Sequence, residues 1–209
     1  MKVLLINGSA KEKGCTYTAL NEVATSLNKE GIDTEILYLG NKPIRDCVGC
    51  GVCKKSDEGK CVFKDDIVNE IIEKAKTADG FIFGTPVYYA HPSGRILSVL
   101  DRLFYAGSKY FANKPGAAVA SARRSGTTAS LDVLNKYFTI NNMPVVSSNY
   151  WNMVHGGKPE DVQQDLEGLQ IMRTLGLNMA WLLKCIEAGK KSGVEYPQRE
   201  EKIWTNFIR

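Results

Sequence analysis

Four cysteines close together carry the sharpest chemical signal in this chain. They read Cys47-Val48-Gly49-Cys50-Gly51-Val52-Cys53, with Cys61 after seven further residues. Two consecutive C-x-x-C steps and a fourth cysteine fit thiolate ligation of a [4Fe–4S] cluster. Gly49, Gly51 and Gly59 supply the backbone freedom that lets several thiolates converge on one inorganic cube. Two other chemistries use the same residue types. One is a zinc site, which more often has two separated C-x-x-C pairs; the other is reactive thiols without a metal. Cys15 and Cys185 lie outside the run, and Cys185 sits in an apolar stretch where a thiol is inert filling. The only histidines, His91 and His155, lack an H-E-x-x-H pattern and are not read as metal ligands.

A second constellation lies at the N-terminus. Val3 to Ile6 is a short continuous apolar run, followed by Asn7-Gly8-Ser9-Ala10-Lys11-Glu12-Lys13-Gly14-Cys15-Thr16-Tyr17-Thr18. This reads as a buried strand, a small-residue loop and a helix start. Hydroxyls of Ser9, Thr16 and Thr18 and free backbone N–H groups at a helix N-terminus suit a phosphate. A P-loop is excluded, because Gly8 and Gly14 are one residue too far apart and Cys15 stands where lysine is required. The dinucleotide fingerprint G-x-G-x-x-G is absent as well. A hydroxyl-rich loop with one cation, Lys11, fits a terminal monophosphate such as that of FMN; an ordinary strand-to-helix turn capped by Thr16 is the plainer alternative.

Two more loops could touch such a ligand. Thr85-Pro86-Val87-Tyr88-Tyr89-Ala90-His91-Pro92-Ser93-Gly94 has two prolines and two adjacent aromatics, a stiff surface for a planar ring. Ser121-Ala122-Arg123-Arg124-Ser125-Gly126-Thr127-Thr128 pairs guanidinium groups with small hydrogen-bonding residues. There Ser121, Arg124 and Gly126 are candidate cofactor contacts, with an arginine stabilising an anionic ring or holding a dinucleotide phosphate. Trp151 and His155 are candidate cavity linings, and no G-x-S-x-G supports a hydrolase.

The elements that must position these loops alternate strand and helix. Strands are expected at Val3–Ile6, Thr34–Tyr38, Gly80–Gly84, Gly116–Ser121 and Pro144–Ser148, with helical spacing of apolar residues between them. That pattern predicts an α/β fold: a flavodoxin-like, doubly wound, five-stranded parallel sheet of order 2-1-3-4-5. Its ligand lies at the carboxyl ends of the strands, at the switch point. Residues 1–150 are expected to form this domain, with the cysteine-rich insert at 47–61. Residues 151–209 are expected as a C-terminal helical extension. Val162 to Ile186 carries an apolar stripe wide enough to pack on its own domain and at a subunit interface. Trp204, Phe207 and Ile208 in the tail would dock back or reach a partner.

Composition narrows the class. The chain has 209 residues, 27 Lys and Arg against 23 Asp and Glu, and a net charge of +4. Its length suits one domain, and it lacks the basic blocks of a nucleic-acid binder. It also lacks a membrane-spanning run and a signal peptide, so a cytoplasmic location is expected. Cysteines in that compartment point to metal or redox chemistry rather than to disulfides.

Taken together, these motifs resemble the flavodoxin-like NAD(P)H-dependent FMN reductases and, within them, the iron–sulfur flavoproteins. The likeness runs from the first strand to about Ser148. Gly8-Ser9-x-Lys11-x-x-Gly14-Cys15-Thr16 is similar to that family's phosphate loop, in which asparagine usually stands at the position of Cys15; here the Cys15 backbone N–H would serve. Pro86-Val87-Tyr88-Tyr89 resembles its isoalloxazine-contact loop. Asp101-Arg102, at the end of the following helix, and the cysteine run before Asp65-Asp66 also fit. The resemblance implies an FMN-dependent oxidoreductase. Electrons would pass from NAD(P)H or a reduced ferredoxin-like donor to a quinone, a nitroaromatic or another acceptor. Cys47, Cys50, Cys53 and Cys61 would be cluster ligands, no side chain would act as a nucleophile, and the protein would be a homo-oligomer. An electron carrier serving a redox protein partner, and an FMN-binding redox sensor, are the alternative readings.

Overall fold

Val3, Leu5 and Leu4, Ile6 point to opposite faces of the first strand, and all four are fully buried. A strand apolar on both faces must be covered on both, which requires helices above and below the sheet. The computed structural model describes residues 1–55, 57–198 and 200–207. Its strands are β1 (Lys2–Asn7), β2 (Asp33–Tyr38), β3 (Gly80–Tyr88), β4 (His91–Pro92), β5 (Gly116–Ala122) and β6 (Met153–His155). The parallel path is β2-β1-β3-β5-β6, and the two-residue β4 pairs antiparallel with the end of β3. With β4 set aside, this is the expected 2-1-3-4-5 order, and the fold is flavodoxin-like.

Two expectations are corrected. The sheet has six strands rather than five, because Tyr88 pairs with His91 across a tight turn. The last parallel strand is Met153–His155, not Pro144–Ser148, where Val145 makes only a single bridge to Gly116. Pro144 has no N–H to give to a ladder, and Val145 is exposed, so that segment runs along the sheet edge without joining it.

Helices α2 (Val68–Thr77), α3 (Gly94–Gly107) and α4 (Thr127–Ile140) cover one face. Phe81, Phe83, Phe104, Phe111 and Phe138 stack between them. Helices α1 (Cys15–Lys29), α5 (Pro159–Gln164) and α6 (Leu166–Lys191) cover the other. The apolar stripe from Val162 to Ile186 is thus divided between two helices. The break falls at Asp165, whose carboxylate accepts from Gly168 N at the start of α6 and from His155 N on β6. Gly176 lets α6 approach α1 closely: a Cβ there would stand 2.6 Å from Ser26 Cβ. Asp101-Arg102 lies within α3 rather than at its end. Trp204 and Phe207 are exposed, and Ile208 lies outside the described residues. No helix among the described residues is long and apolar enough to cross a membrane.

Candidate functional site

The carboxyl ends of β1, β3, β5 and β6 surround a cavity of about 260 Å³. Gly8 anchors the loop that carries Ser9 and Lys11 into it. Gly8 N donates to Gly84 O, and Ser93 Oγ donates to Gly8 O, joining the loop after β1 to β3 and to the start of α3 at one residue. A Cβ on Gly8 would lie 2.8 Å from Gly84 O, so only glycine fits this crossing. Asn7 is buried and shapes the loop from within: its Oδ1 accepts from Ser9 N and its Nδ2 donates to Glu12 O. Gly14 caps α1 without a side-chain acceptor, so the first-turn N–H groups of Cys15, Thr16 and Tyr17 are available to an anion. Lys11, Ser9 and Thr16 line the same wall, and Thr16 shares a hydrogen bond with Ser121 across to β5. The hydroxyl of Thr18 turns back to Gly14 O instead. Burial pushes the Cys15 thiol up, and its sulfur faces Gly156 O at 3.5 Å, so a neutral group stands beside the anion position.

Pro86, Val87 and Tyr88 form the opposite wall. Tyr89 takes a positive φ of 64° at the turn and is wholly exposed, which places it outside the cavity lining. A bulky residue in that region is an outlier that clusters at functional sites. Of the arginine pair, Arg123 lines the cavity, while Arg124 is exposed beyond it. Gly126, at φ 90°, packs behind the wall; a Cβ there would meet Val87 Cγ1 at 2.7 Å. Asn7, Gly156 and Gly157 are contributors that sequence reasoning did not single out. A glycine pair right after a short apolar stretch was the available signal for the last two. His155 sits on β6 with its N–H tied to Asp165, and Trp151 lies at a separate groove with Tyr150 and Asn152.

The four clustered cysteines line a second cavity, of about 480 Å³, against Asp101, Arg102 and Tyr105 of α3. It lies roughly 12 Å beyond Gly94 along that helix, at about 1.5 Å per residue. Gly49 and Gly51 take positive φ, which turns Cys47, Cys50 and Cys53 toward one space. Cys61 is held differently. Asn69 accepts from Cys61 N and donates to the carbonyls of Cys61 and Phe63, pinning this strand of chain onto α2. All the cysteines are free thiols, and Cys185 is exposed on α6 rather than the buried filling its apolar surroundings suggest. Among the described residues, no three His, Cys, Asp or Glu groups stand close enough for a single metal ion. Burial pushes the Cys53 thiol up, and the nearby Cys61, Cys50 and Cys47 push the same way. Arg102 is buried beside them and forks onto Asp66.

Fold and strand-end cavity together define a flavodoxin-type protein with a cradle suited to a phosphorylated cofactor. Comparison with known proteins gives the family. A model described as NADPH-dependent FMN reductase matches residues 1–158. An iron–sulfur flavoprotein of Methanocaldococcus jannaschii is 36% identical over 195 residues, covering 90% of this chain and 100% of that one. Among solved structures, RosB with a bound 8-demethyl-8-formylriboflavin-5'-phosphate intermediate superimposes with a TM-score of 0.69 at 16% identity, covering 100% of this chain and 92% of that one. An NAD(P)H:quinone oxidoreductase from Methanothermobacter marburgensis gives 0.65 at 17%, covering 86% and 98%. At such identities these two speak for the fold. The chain belongs to the NADPH-dependent FMN reductase family, in its iron–sulfur flavoprotein branch. It is an FMN-dependent oxidoreductase.

Proposed function

We propose that this protein takes electrons from NAD(P)H or a reduced ferredoxin-like donor and delivers them to a quinone, a nitroaromatic or a similar acceptor. The strand-end cavity holds FMN, and the cysteine cavity holds a [4Fe–4S] cluster. The observation that carries this reading is the presence of two built cavities in one chain: a phosphate cradle at the start of α1 and four thiols around a space beside the second half of α3. When bound, FMN supplies two-electron chemistry and the cluster a one-electron path.

The chain's own residues bind and orient. The first-turn N–H groups of α1, with Ser9, Lys11 and Thr16, hold the phosphate. Pro86, Val87 and Tyr88 offer a stiff, partly apolar wall for the ring, and Arg123 brings a positive charge to the same cavity. Four thiols spread around about 480 Å³ suit a polynuclear group that spans the space better than one ion. A second reading, an electron carrier for a redox protein partner, is favoured by the exposed position of Cys50 and Val48 at the rim of that cavity. A homo-oligomer, with partners limited to redox proteins and small molecules, completes the proposal.

The test is anaerobic purification followed by reduction. The expected protein is yellow, releases FMN on denaturation, and bleaches rapidly with NADH or NADPH. Bleaching only with reduced ferredoxin selects the carrier reading. A colourless protein that releases no flavin overturns both.

A further inference from the structure

Arg102 is a cation with 1% of its surface exposed. Burying a guanidinium is costly unless every N–H is met. Asp66 meets two of them, Arg45 O accepts a third at 3.2 Å, and Phe63 lies under the plane at 5.2 Å. These partners form the ion pair and leave Nε–H to be met elsewhere. Nε points the other way, into the cysteine cavity, and donates to Cys61 Sγ at 3.3 Å. Cys61 is the thiol whose backbone Asn69 fixes on both sides, so its sulfur is held against the guanidinium. Among the described residues no such donor meets Cys47, Cys50 or Cys53; Cys53 Sγ instead faces the Tyr105 carbonyl. One corner of the cavity is therefore built unlike the other three.

We propose that Arg102 is a positioning residue that sets the reduction potential of the cluster by donating its Nε–H to the Cys61 sulfur, with Asp66 holding the fork in place and moderating its charge. The proposal rests on the cluster reading above. Hydrogen bonds to the sulfurs and local charge are among the levers that set such potentials. A donor on a ligating sulfur favours the more negative, reduced state, so Arg102 raises the potential. Asp66 brings the opposite charge and lowers it. The two residues should therefore pull the potential in opposite directions, although they form one ion pair.

The experiment is a redox titration of anaerobically purified protein followed by electron paramagnetic resonance, with iron, FMN and thermal midpoint measured in parallel. The variants are D66N, which keeps an acceptor for Val68 N at the start of α2, and the neutral pair D66N/R102Q, which leaves no buried charge unpaired. D66N is expected to raise the midpoint. Relative to D66N, the double variant is expected to lower it by about a tenfold change in the oxidised-to-reduced ratio at fixed poise, about 59 mV for a one-electron couple. Wild-type protein with about four irons per chain and an unchanged midpoint in both variants overturns the role of Arg102 and leaves the cluster reading intact. Wild-type protein without iron overturns the cluster reading and the proposal with it. If the double variant loses iron, R102K, which keeps the charge and removes the Nε–H, decides: a lower midpoint than wild type supports the proposal, and no change or a rise overturns it. A residue serving only the fold would shift thermal midpoint and iron content without this opposition of sign.

Discussion

At the scale of single residues, the two cavities place opposite demands on the backbone. The cysteine loop needs freedom, which Gly49 and Gly51 provide through positive φ. The strand-end cradle needs closeness, which Gly8 provides by letting its loop touch Gly84 O. Substituting Gly8→Ala sets a Cβ against a carbonyl oxygen and Ile96 Cβ, neither of which can rotate aside. The expected cost is about 1–3 kcal/mol, read by urea unfolding, together with weaker FMN retention on gel filtration; wild-type retention would show that the loop yields without cost. Cys50→Ser should abolish iron while FMN stays bound, because Cys50 lines only the second cavity. Full iron content in that variant would remove Cys50 from the ligand set. Spacing made the four cysteines legible in the sequence. The Arg102–Cys61 contact was not legible, since 41 residues separate the partners and only the packing of α3 brings them together.

At the scale of elements, long patterns were readable and short ones were not. The buried run of β1 and the period of α3 follow from patterns of hydrophobicity, and the order of the parallel strands from the alternation of strand and helix in a doubly wound sheet. The outer strand β6 has three residues, too few for a period to show. Its place is secured from outside its own sequence by Asp165, which both starts α6 and accepts the His155 N–H. The same carboxylate interrupts an apolar stripe that reads as continuous. Replacing Asp165→Ala removes the cap and orphans a strand N–H, with an expected loss of about 1–2 kcal/mol. Hydrogen exchange should then quicken at His155 and at the first turn of α6 while β1 stays protected. Uniform exchange across the sheet would mean that β6 is not held through this residue.

At the scale of the whole molecule, β2 lines neither cavity and is left to structural work. There Glu35 on β2 joins β1 through Lys2 and α2 through Lys74, at 2.5 Å and 2.7 Å. Hydrogen bonds from Lys2 and then Lys74 hold the Glu35 carboxyl below its ordinary value of 4.5. A carboxylate whose folded pKa is depressed binds its proton more readily when unfolded. Its stabilisation is therefore present above about pH 4.5 and is lost as pH falls through the folded value. The Lys74 ammonium is raised from 10.5 by the same contact, so its share persists up to that pH and fades above it. Between these limits the contact is whole, and a partly exposed carboxylate of this kind contributes no more than about 1 kcal/mol. Glu35→Gln should lower the urea midpoint near neutral pH and at high salt by less, because screening already weakens the wild-type contact. The gap between variant and wild type should close as pH falls below the ordinary carboxyl value and through the lowered folded one, where wild-type Glu35 is itself protonated. Comparing the two proteins cancels the acid loss from every other carboxylate. A gap that stays constant from neutral to acid pH would show that Glu35 acts through packing alone and that charge does not tie the three elements together.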